Sequence, residues 1–440
     1  MFKFRQQRRT AVIILAFVAL FSGLITGRDI LFSLAYLLGV LLIISFGWAW
    51  VNINYVHLSR VTRTRRAQVG RPLEERFTVR NTSRIPKLWL EVRDFSSLPH
   101  HYSSHVVNGL GPHRTYAWRV TTVCRQRGRY QLGPIRLKTS DPFGLFPMQR
   151  DLVPTTNVVI YPLTFEIHQF ALPLGILPGG DALRRRTHYV TTNASGVRDY
   201  APGDSFSRIH WRSTARRNRL IVKEFELDPL ADIWIVPDMA IFGHIAPRQE
   251  DESDDQLSWG PWGFIPNWRN PDEFKLPATT EEYTVTIAAS LAQYFLRHDR
   301  AVGMLGYGQT NEIVQPDRGE RQMNRILETL SVLRAEGEIP ISDMLHAESH
   351  LFPRGTTVIV ITPSTQEEWP TAARQLARRG LRVVSVLVNP ASFGGYRSSD
   401  GVFSVLQASG MVAYMVNSED NLTAVLSQSQ KQAGSFAIMQ

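Results

Sequence analysis

Apolar positions follow three different patterns along the chain, and each pattern predicts a different kind of element. Over the first fifty residues they are nearly continuous, forming two uncharged runs, Thr10 to Thr26 and Ile30 to Val51. At ~1.5 Å of rise per helical residue these runs extend about 25 and 33 Å against a hydrocarbon core of ~30 Å, so each predicts a transmembrane helix, the first barely long enough. Only Gly27, Arg28 and Asp29 lie between them, which leaves room for an antiparallel helical hairpin and nothing larger.

From Val56 to Tyr161 the period shortens to two. Glu75 to Arg80 and Leu88 to Val92 alternate around a turn at Asn81-Thr82-Ser83, and similar short runs follow at Thr115 to Val123, Gly128 to Leu132, Ile135 to Thr139 and Val158 to Tyr161. Short strands punctuated by Gly and Pro predict an antiparallel β-sandwich over 56–165, and a barrel fits the same pattern.

From Ala231 onward, buried-type strands alternate with helical stripes. The strands expected are Asp232 to Val236, Ala301 to Tyr307, Glu312 to Gln315, Thr357 to Ile361, Leu381 to Val388 and Val412 to Val416. Helices are expected over Glu281 to His298, Glu320 to Glu336 and Glu367 to Arg379, the last closed by Gly380, with another starting near Glu419. This alternation predicts a mostly parallel sheet covered on both faces over 231–440. The short gap before Glu312 allows only a hairpin, so one edge strand should be antiparallel. An insertion at 243–277 interrupts the pattern. It carries a run of acids from Glu250 to Asp255 and then Trp259, Trp262 and Trp268, and it reads either as a surface insertion or as a docking element.

Charge adds topology to this picture. Lys3, Arg5, Arg8 and Arg9 precede the first span, and Arg60, Arg63, Arg65 and Arg66 follow the second, whereas the turn between offers Arg28 alone. The positive-inside rule then places both termini in the cytoplasm of a two-pass protein of the inner (cytoplasmic) membrane. A cleaved signal peptide is the rival reading of the first run, and it leaves the bulk of the chain on the same side. The single cysteine, Cys124, excludes an intramolecular disulfide and fits a reducing compartment. The net charge of +10 is concentrated at the membrane flanks and between Arg184 and Lys223.

The most distinctive string lies in the connecting segment, 166–230. Gly196-Val-Arg198-Asp199-Tyr200-Ala-Pro202-Gly203-Asp204 is followed by Arg208-Ile-His210-Trp211, by Ser213-Thr-Ala215-Arg216, and by Leu220-Ile-Val-Lys223-Glu-Phe225. Pro202-Gly203-Asp204 reads as a turn, Asp204 or Ser205 as the cap of a short helix carrying Ile209 and ending near Asn218, and Leu220 to Phe225 as a strand. The string resembles the signature of the DUF58 family, a domain of unknown function. Arg127-Gly-Arg-Tyr-Gln-Leu132, Asp141-Pro-Phe-Gly-Leu-Phe146 and Val159-Ile-Tyr-Pro162 look like the β-rich region preceding that signature.

The resemblance implies a von Willebrand factor A-like C-terminal domain, a fold that commonly holds Mg²⁺ through a D-x-S-x-S loop after its first strand and an Asp after a later one. Here Ala240 and Phe242 follow Asp238 where the hydroxyls belong, and Pro363 stands where the later Asp is expected, leaving Asp238 and at most Thr362 as ligands. With so few oxygen ligands, the site is expected to bind no metal, or to bind it too weakly to matter, and no cofactor is expected elsewhere. The resemblance also implies a partnership with MoxR-type AAA ATPases in envelope-related complex assembly or maturation, and hence a non-enzymatic membrane-anchored interaction protein.

Two other function classes remain open on the residues. Asp199, Asp204 and His210 beside an arginine run could serve a hydrolase, although phosphate-loop, nucleophile-elbow and zinc-ligand spacings are missing. Arg184, Arg185, Arg186, Arg208, Arg212, Arg216, Arg217 and Arg219 could bind a polyanion, anionic lipid before nucleic acid.

Overall fold

The structure is a computed structural model describing residues 2–153, 155–170, 194–200, 209–225, 232–246, 259–260, 263–264 and 276–427. The chain divides into two compact units, one of residues 1–163 and 254–275, the other of residues 164–253 and 276–440.

The first unit begins with the helical hairpin, α1 (Phe2–Thr26) and α2 (Asp29–Asn54), both apolar and long enough to cross a membrane. Strands β1 (Val56–Thr62), β2 (Arg66–Gln68), β3 (Pro72–Asn81), β4 (Lys87–Asp94), β5 (His105–Leu110) and β6 (Thr115–Val123) come next. The series ends with β7 (Gly128–Leu132), β8 (Ile135–Thr139), β9 (Met148–Val153) and β10 (Thr156–Tyr161). Two antiparallel sheets result, in the orders β1-β3-β6 and β5-β4-β8-β9. Their inward positions, Leu58, Phe77 and Val79 from one and Leu90, Val92, Val107 and Leu137 from the other, form one apolar cluster that also takes in Ile53 at the end of α2. Alternation at period two produces this arrangement, because every second side chain points into the shared core. A third, small sheet of order β2-β10-β7 departs from the expected all-antiparallel pairing: β2 runs parallel to β10, with Val159 opposite Arg66. A three-residue strand offers too little alternation for its direction to be read from sequence.

The second unit opens with β11 (Ala194–Asp199), α3 (Trp211–Arg217) and β12 (Ile221–Phe225), in which β11 and β12 pair antiparallel. Strand β13 (Ile233–Pro237) then starts the main sheet. Within the insertion, β14 (Trp259–Gly260) and β15 (Gly263–Phe264) make a minimal antiparallel pair belonging to the first unit. The rest comprises α4 (Thr280–Arg297), β16 (Val302–Tyr307), β17 (Asn311–Asp317), α5 (Gly319–Val332), α6 (Ile341–Ala347), β18 (Thr357–Thr362), α7 (Glu368–Arg378), β19 (Arg382–Val388), α8 (Asp400–Ala408), β20 (Val412–Val416) and α9 (Leu422–Ser427).

The six-stranded sheet has the order β17-β16-β13-β18-β19-β20, parallel except for the edge hairpin of β16 with β17. Its central strands are buried along their whole length, as a sheet covered on both faces requires. Trp234, Val236, Val358 and Val360 pack with Ala372 and Leu376 of α7 on one face. Residues 164–170 belong to this unit too: the Phe165 amide donates to Ser290 Oγ at 3.1 Å, and the Phe170 ring stacks on Tyr414.

Three expectations need correction. The helix of the signature segment begins at Trp211, after Ile209 rather than around it; Ile209 is buried in a bridge to Val222. Helix α5 stops at Val332, four residues early, because Leu333 turns extended and the chain beyond it pairs with the loop after β13. Helices α6 and α8 were not anticipated, although Ile341, Met344 and Leu345 in the first and Val402 and Leu406 in the second have helical spacing.

Candidate functional site

Strand β13 is apolar until Pro237 and then delivers Asp238 to the carboxyl end of the sheet, where Asp238 is buried. Successive parallel strands leave β13 in opposite directions, to β16 on one side and to β18 on the other. In open parallel sheets such a reversal opens a crevice outside the strand ends, the usual ligand position of the architecture. A cavity of about 300 Å³ lies there, lined by Asp238, Ala240, Phe242 and Ile245 after β13, by Pro363 to Gln366 after β18, and by Pro390, Tyr396 and Arg397 after β19.

The floor of the crevice is fixed by hydrogen bonds. Asp238 Oδ1 accepts from the Ala240 amide at 3.0 Å, and Oδ2 accepts from Thr362 Oγ1 at 2.6 Å. Thr362 Oγ1 itself accepts from the Ser364 amide at 2.8 Å, which ties the loops after β13 and β18 together. The Asp238 carbonyl is 2.8 Å from His244 Nε2; a carbonyl can only accept, so that nitrogen carries the proton. Gly337 closes the other side, its amide donating to the Met239 carbonyl at 2.9 Å. A Cβ on Gly337 would stand 2.3 Å from the Tyr307 carbonyl oxygen, so only glycine permits this approach. Burial raises the Asp238 pKa above the usual carboxylate range, partly offset by His244 and by the bonds from Thr362 and Ala240.

This donor set does not fit a resident Mg²⁺. A hard cation takes about six oxygens. Here both Asp238 oxygens are engaged within the protein, Ala240, Phe242 and Pro363 carry no side-chain oxygen, and Thr362 points its hydroxyl at Asp238. Among the described residues, no three His, Cys, Asp or Glu side chains are grouped to hold a metal ion. Around the closed floor, exposed aromatic side chains stand beside Ser364, Thr365, Gln366 and Arg397: Phe242 is 70% exposed, with Ile241 next to it at 53%, and Tyr396 is fully exposed.

The signature segment forms a small assembly of its own. Arg198 lies opposite Val222, Val197 opposite Lys223 and Asp199 opposite Ile221, and the Tyr200 amide continues the pairing to the Leu220 carbonyl. Exposed Arg219 and Asp199 pair at 3.0 Å. His210 caps α3: its Nδ1 accepts from the Ser213 amide at 3.2 Å and lies 2.7 Å from Ser213 Oγ. Thr214 Oγ1 accepts from the Ile221 amide, which docks α3 on β12. The face of α3 turned to solvent carries Trp211, Arg212, Ala215, Arg216 and Arg217, all exposed.

His210 is therefore brought next to Ser213, and Asp199 pairs with Arg219. Pro202, Gly203, Asp204, Arg208 and the triplet Arg184 to Arg186 lie outside the described residues, as do Trp262 and Trp268; Trp259 is placed in β14 by its backbone alone. Sequence reasoning singled out the Asp238 loop but missed Tyr396, Arg397 and Gly337, which come from distant loops. The one local signal was the Pro390, Gly394, Gly395 cluster following an apolar strand.

The family model described as "Protein of unknown function DUF58" matches residues 196–249. The uncharacterized protein YeaD of Bacillus subtilis (strain 168) is 20% identical over 220 residues, which cover 49% of this chain and 45% of YeaD. The match thus spans less than half the length of that relative, and together with the family model it supports the DUF58 family. Among solved structures, the chain is similar to the CARDB domain of a Pyrococcus furiosus protein, with 18% identity over 24% of this chain and 91% of that one and a TM-score of 0.19. Similarity also extends to proximal thread matrix protein 1 of the mussel byssus, with 14% identity over 44% of this chain and 46% of that one and a TM-score of 0.28.

Proposed function

We propose that the chain is a non-enzymatic, membrane-anchored interaction protein whose second unit receives a partner protein in the crevice above Asp238 without a bridging metal. The crevice carries the reading: both oxygens of Asp238 on its floor are engaged by internal hydrogen bonds, while its rim offers Phe242 and Tyr396 to solvent. Exposed aromatic side chains around a concave site are the usual anchors of protein recognition. In this reading the first unit is a β-sandwich held at the inner membrane by the hairpin, and the second is a von Willebrand factor A-like domain in which an apolar contact replaces the metal. The partner class implied by the family resemblance is a MoxR-type AAA ATPase, engaged in assembling or maturing an envelope-related complex.

Affinity capture of the intact protein from its native membrane, with and without ATP and EDTA, tests this reading. An ATPase should be recovered in an ATP-sensitive manner. Chelation applied after the complex has formed should leave recovery unchanged, and Phe242→Asp combined with Tyr396→Ala should abolish it. Recovery that survives the double substitution, or that EDTA abolishes from pre-formed complex, would overturn the crevice as the contact.

A second reading has its own observation. Exposed Trp211 beside Arg212, Arg216 and Arg217 makes α3 a basic, aromatic surface suited to a polyanion such as anionic lipid. Lipid or nucleic acid that co-purifies and is lost on Arg212→Ala with Arg216→Ala would favour it.

A further inference from the structure

We infer that the loop Asp141-Pro142-Phe143-Gly144-Leu145-Phe146 of the first unit is a third membrane contact, lying in the lipid headgroup region with Phe143 inserted among the lipids. The inference rests on α1 and α2 crossing a bilayer.

The loop is built rigidly around a buried carboxylate. Asp141 accepts from the Phe143 amide at 3.0 Å and from the Phe146 amide at 2.7 Å, and Ser140 Oγ approaches it at 3.3 Å. The Gly144 amide closes the turn on the Asp141 carbonyl, and Gly144 takes a φ of +71° that side-chain-bearing residues rarely adopt. Leu145 is buried beneath the turn, whereas Phe143 is 58% exposed. A preorganised turn that spends a buried Asp on holding a phenylalanine outward needs something apolar for that ring to meet.

The hairpin supplies the depth. Asn52, near the end of α2, donates to the Ser140 carbonyl at the start of the loop. At the loop's end, the Phe146 ring packs edge-on against Phe46 with centroids 5.6 Å apart. Asn52 lies six helical steps past Phe46, so the loop descends about 9 Å along α2 toward the connecting turn of the hairpin. The Arg9 guanidinium lies 5.9 Å from the same Phe146 ring. Arg9 and Phe46 are equally far along their helices from the connecting turn, and Arg9 is the last charged residue before the uncharged run of α1. Phe146 therefore sits at the level where the hydrocarbon begins, and the loop spans the headgroup layer above it. Aromatic side chains favour that layer, and Arg9 with Arg150, whose guanidinium reaches the Asn54 carbonyl at 3.5 Å, suits its anionic phosphates.

The test places a fluorophore at one position at a time in the full chain, reconstituted in vesicles of zwitterionic and anionic phospholipid. The native thiol, Cys124, is buried, so labelling is confined to introduced cysteines. Phe143→Cys reports the loop, Phe17→Cys the apolar run of α1, and Tyr396→Cys the aqueous surface of the second unit. Quenching by spin-labelled lipids should reach Phe143→Cys from a shallow label and Phe17→Cys from a deep one, and should leave Tyr396→Cys unaffected. Aqueous iodide should show the reverse order. If Phe17→Cys is quenched by deep lipid labels while Phe143→Cys is as open to iodide as Tyr396→Cys, the loop faces water or a protein and the inference fails although the spans stand. If Phe17→Cys is itself open to iodide, the membrane reading of the hairpin fails and the inference falls with it.

Discussion

Asp94 lies at the centre of a buried polar cluster in the first unit, with Arg60, Glu75 and His101 around it and every one of these side chains at most 4% exposed. Arg60 grips Glu75 through two bonds of 2.8 Å and reaches Asp94 at 3.3 Å, while His101 Nε2, Ser96 and Ser103 also engage Asp94. Burial by itself would raise the Asp94 pKa, but the bonds from His101 and Ser103, the Arg60 charge and the Ser96 bond together hold it at about 2. A carboxyl whose pKa is lower in the folded than in the unfolded state stabilises the fold above its unfolded pKa of ~3.9, and this contribution fades as pH falls toward 2. The loss should amount to roughly 2 kcal/mol across that window. Hydrogen exchange of the β3 and β4 amides in the intact protein is the suitable measurement, because a chain of two units need not unfold in one step. Protection should drop between about pH 4 and pH 2 in the native protein. In Asp94→Asn it should already be lower at neutral pH, by about 3 kcal/mol, as expected when one member of a buried charged cluster is removed. An acid response unchanged by the substitution would show that Asp94 does not govern it.

Where α2 joins the β-rich region, the elements are locked by a buried lysine. Lys87, at the start of β4, is fully buried and donates through Nζ to the Val51 carbonyl at 2.7 Å, in the last turn of α2. The same carbonyl accepts from the Tyr55 amide at 3.3 Å, and a cation at a final helical turn complements the helix dipole. Burial lowers the Lys87 pKa to about 8, so the folded state becomes relatively more stable as pH rises from 8 toward the unfolded value near 10.4. Lys87→Ala should leave the Val51 carbonyl with the longer bond from the Tyr55 amide alone, costing about 1 kcal/mol, and should speed exchange of the amides at the end of α2 while β18 and β19 stay protected. Equal exchange at both places would mean that the joint does not depend on Lys87. No such joint was legible in the sequence, because the role of Lys87 arises from contact with a residue 36 positions away. The elements themselves were largely legible. Unbroken apolar runs marked α1 and α2, and the fully buried strands β13, β16 and β18 stood out against the stripe of α4. What escaped was short or set by distant pairing: the parallel β2, helices α6 and α8, and the early end of α5 imposed by Gly337. The candidate site was half legible, since the family resemblance pointed to Asp238 and Thr362, whereas Tyr396 and Arg397 enter the crevice only through the sheet order.

At the scale of the whole molecule, the hairpin and the charges around it limit how the chain can lie in a bilayer. Antiparallel helices joined at Gly27 and Arg28 bring Arg8 and Arg9 to the same end as the close of α2, and β1 and β2 place Arg60, Arg63, Arg65 and Arg66 just beyond that end. The opposite end offers Arg28 beside Asp29. Orientation follows the imbalance of Lys and Arg on segments near the spans, so the end from which the chain continues into β1 should face the cytoplasm. A cysteine introduced at Gly27, whose φ of +65° strains a side chain locally but where a Cβ would meet nothing within 4 Å, should react with a membrane-impermeant maleimide in intact cells. One introduced at Tyr102, which is 60% exposed on the first unit, should react only after the membrane is opened. The reverse pattern would invert the topology. Labelling of both sites in intact cells would mean that the hairpin does not cross, and would remove the ground for placing any cytoplasmic partner in the crevice. Because α1 spans only about 25 Å of uncharged helix, this orientation should also depend on its basic flank. Replacing Arg8 and Arg9 with Glu should shift part of the population to forms in which Gly27 is protected, since the first span then loses the charges that hold its start inside.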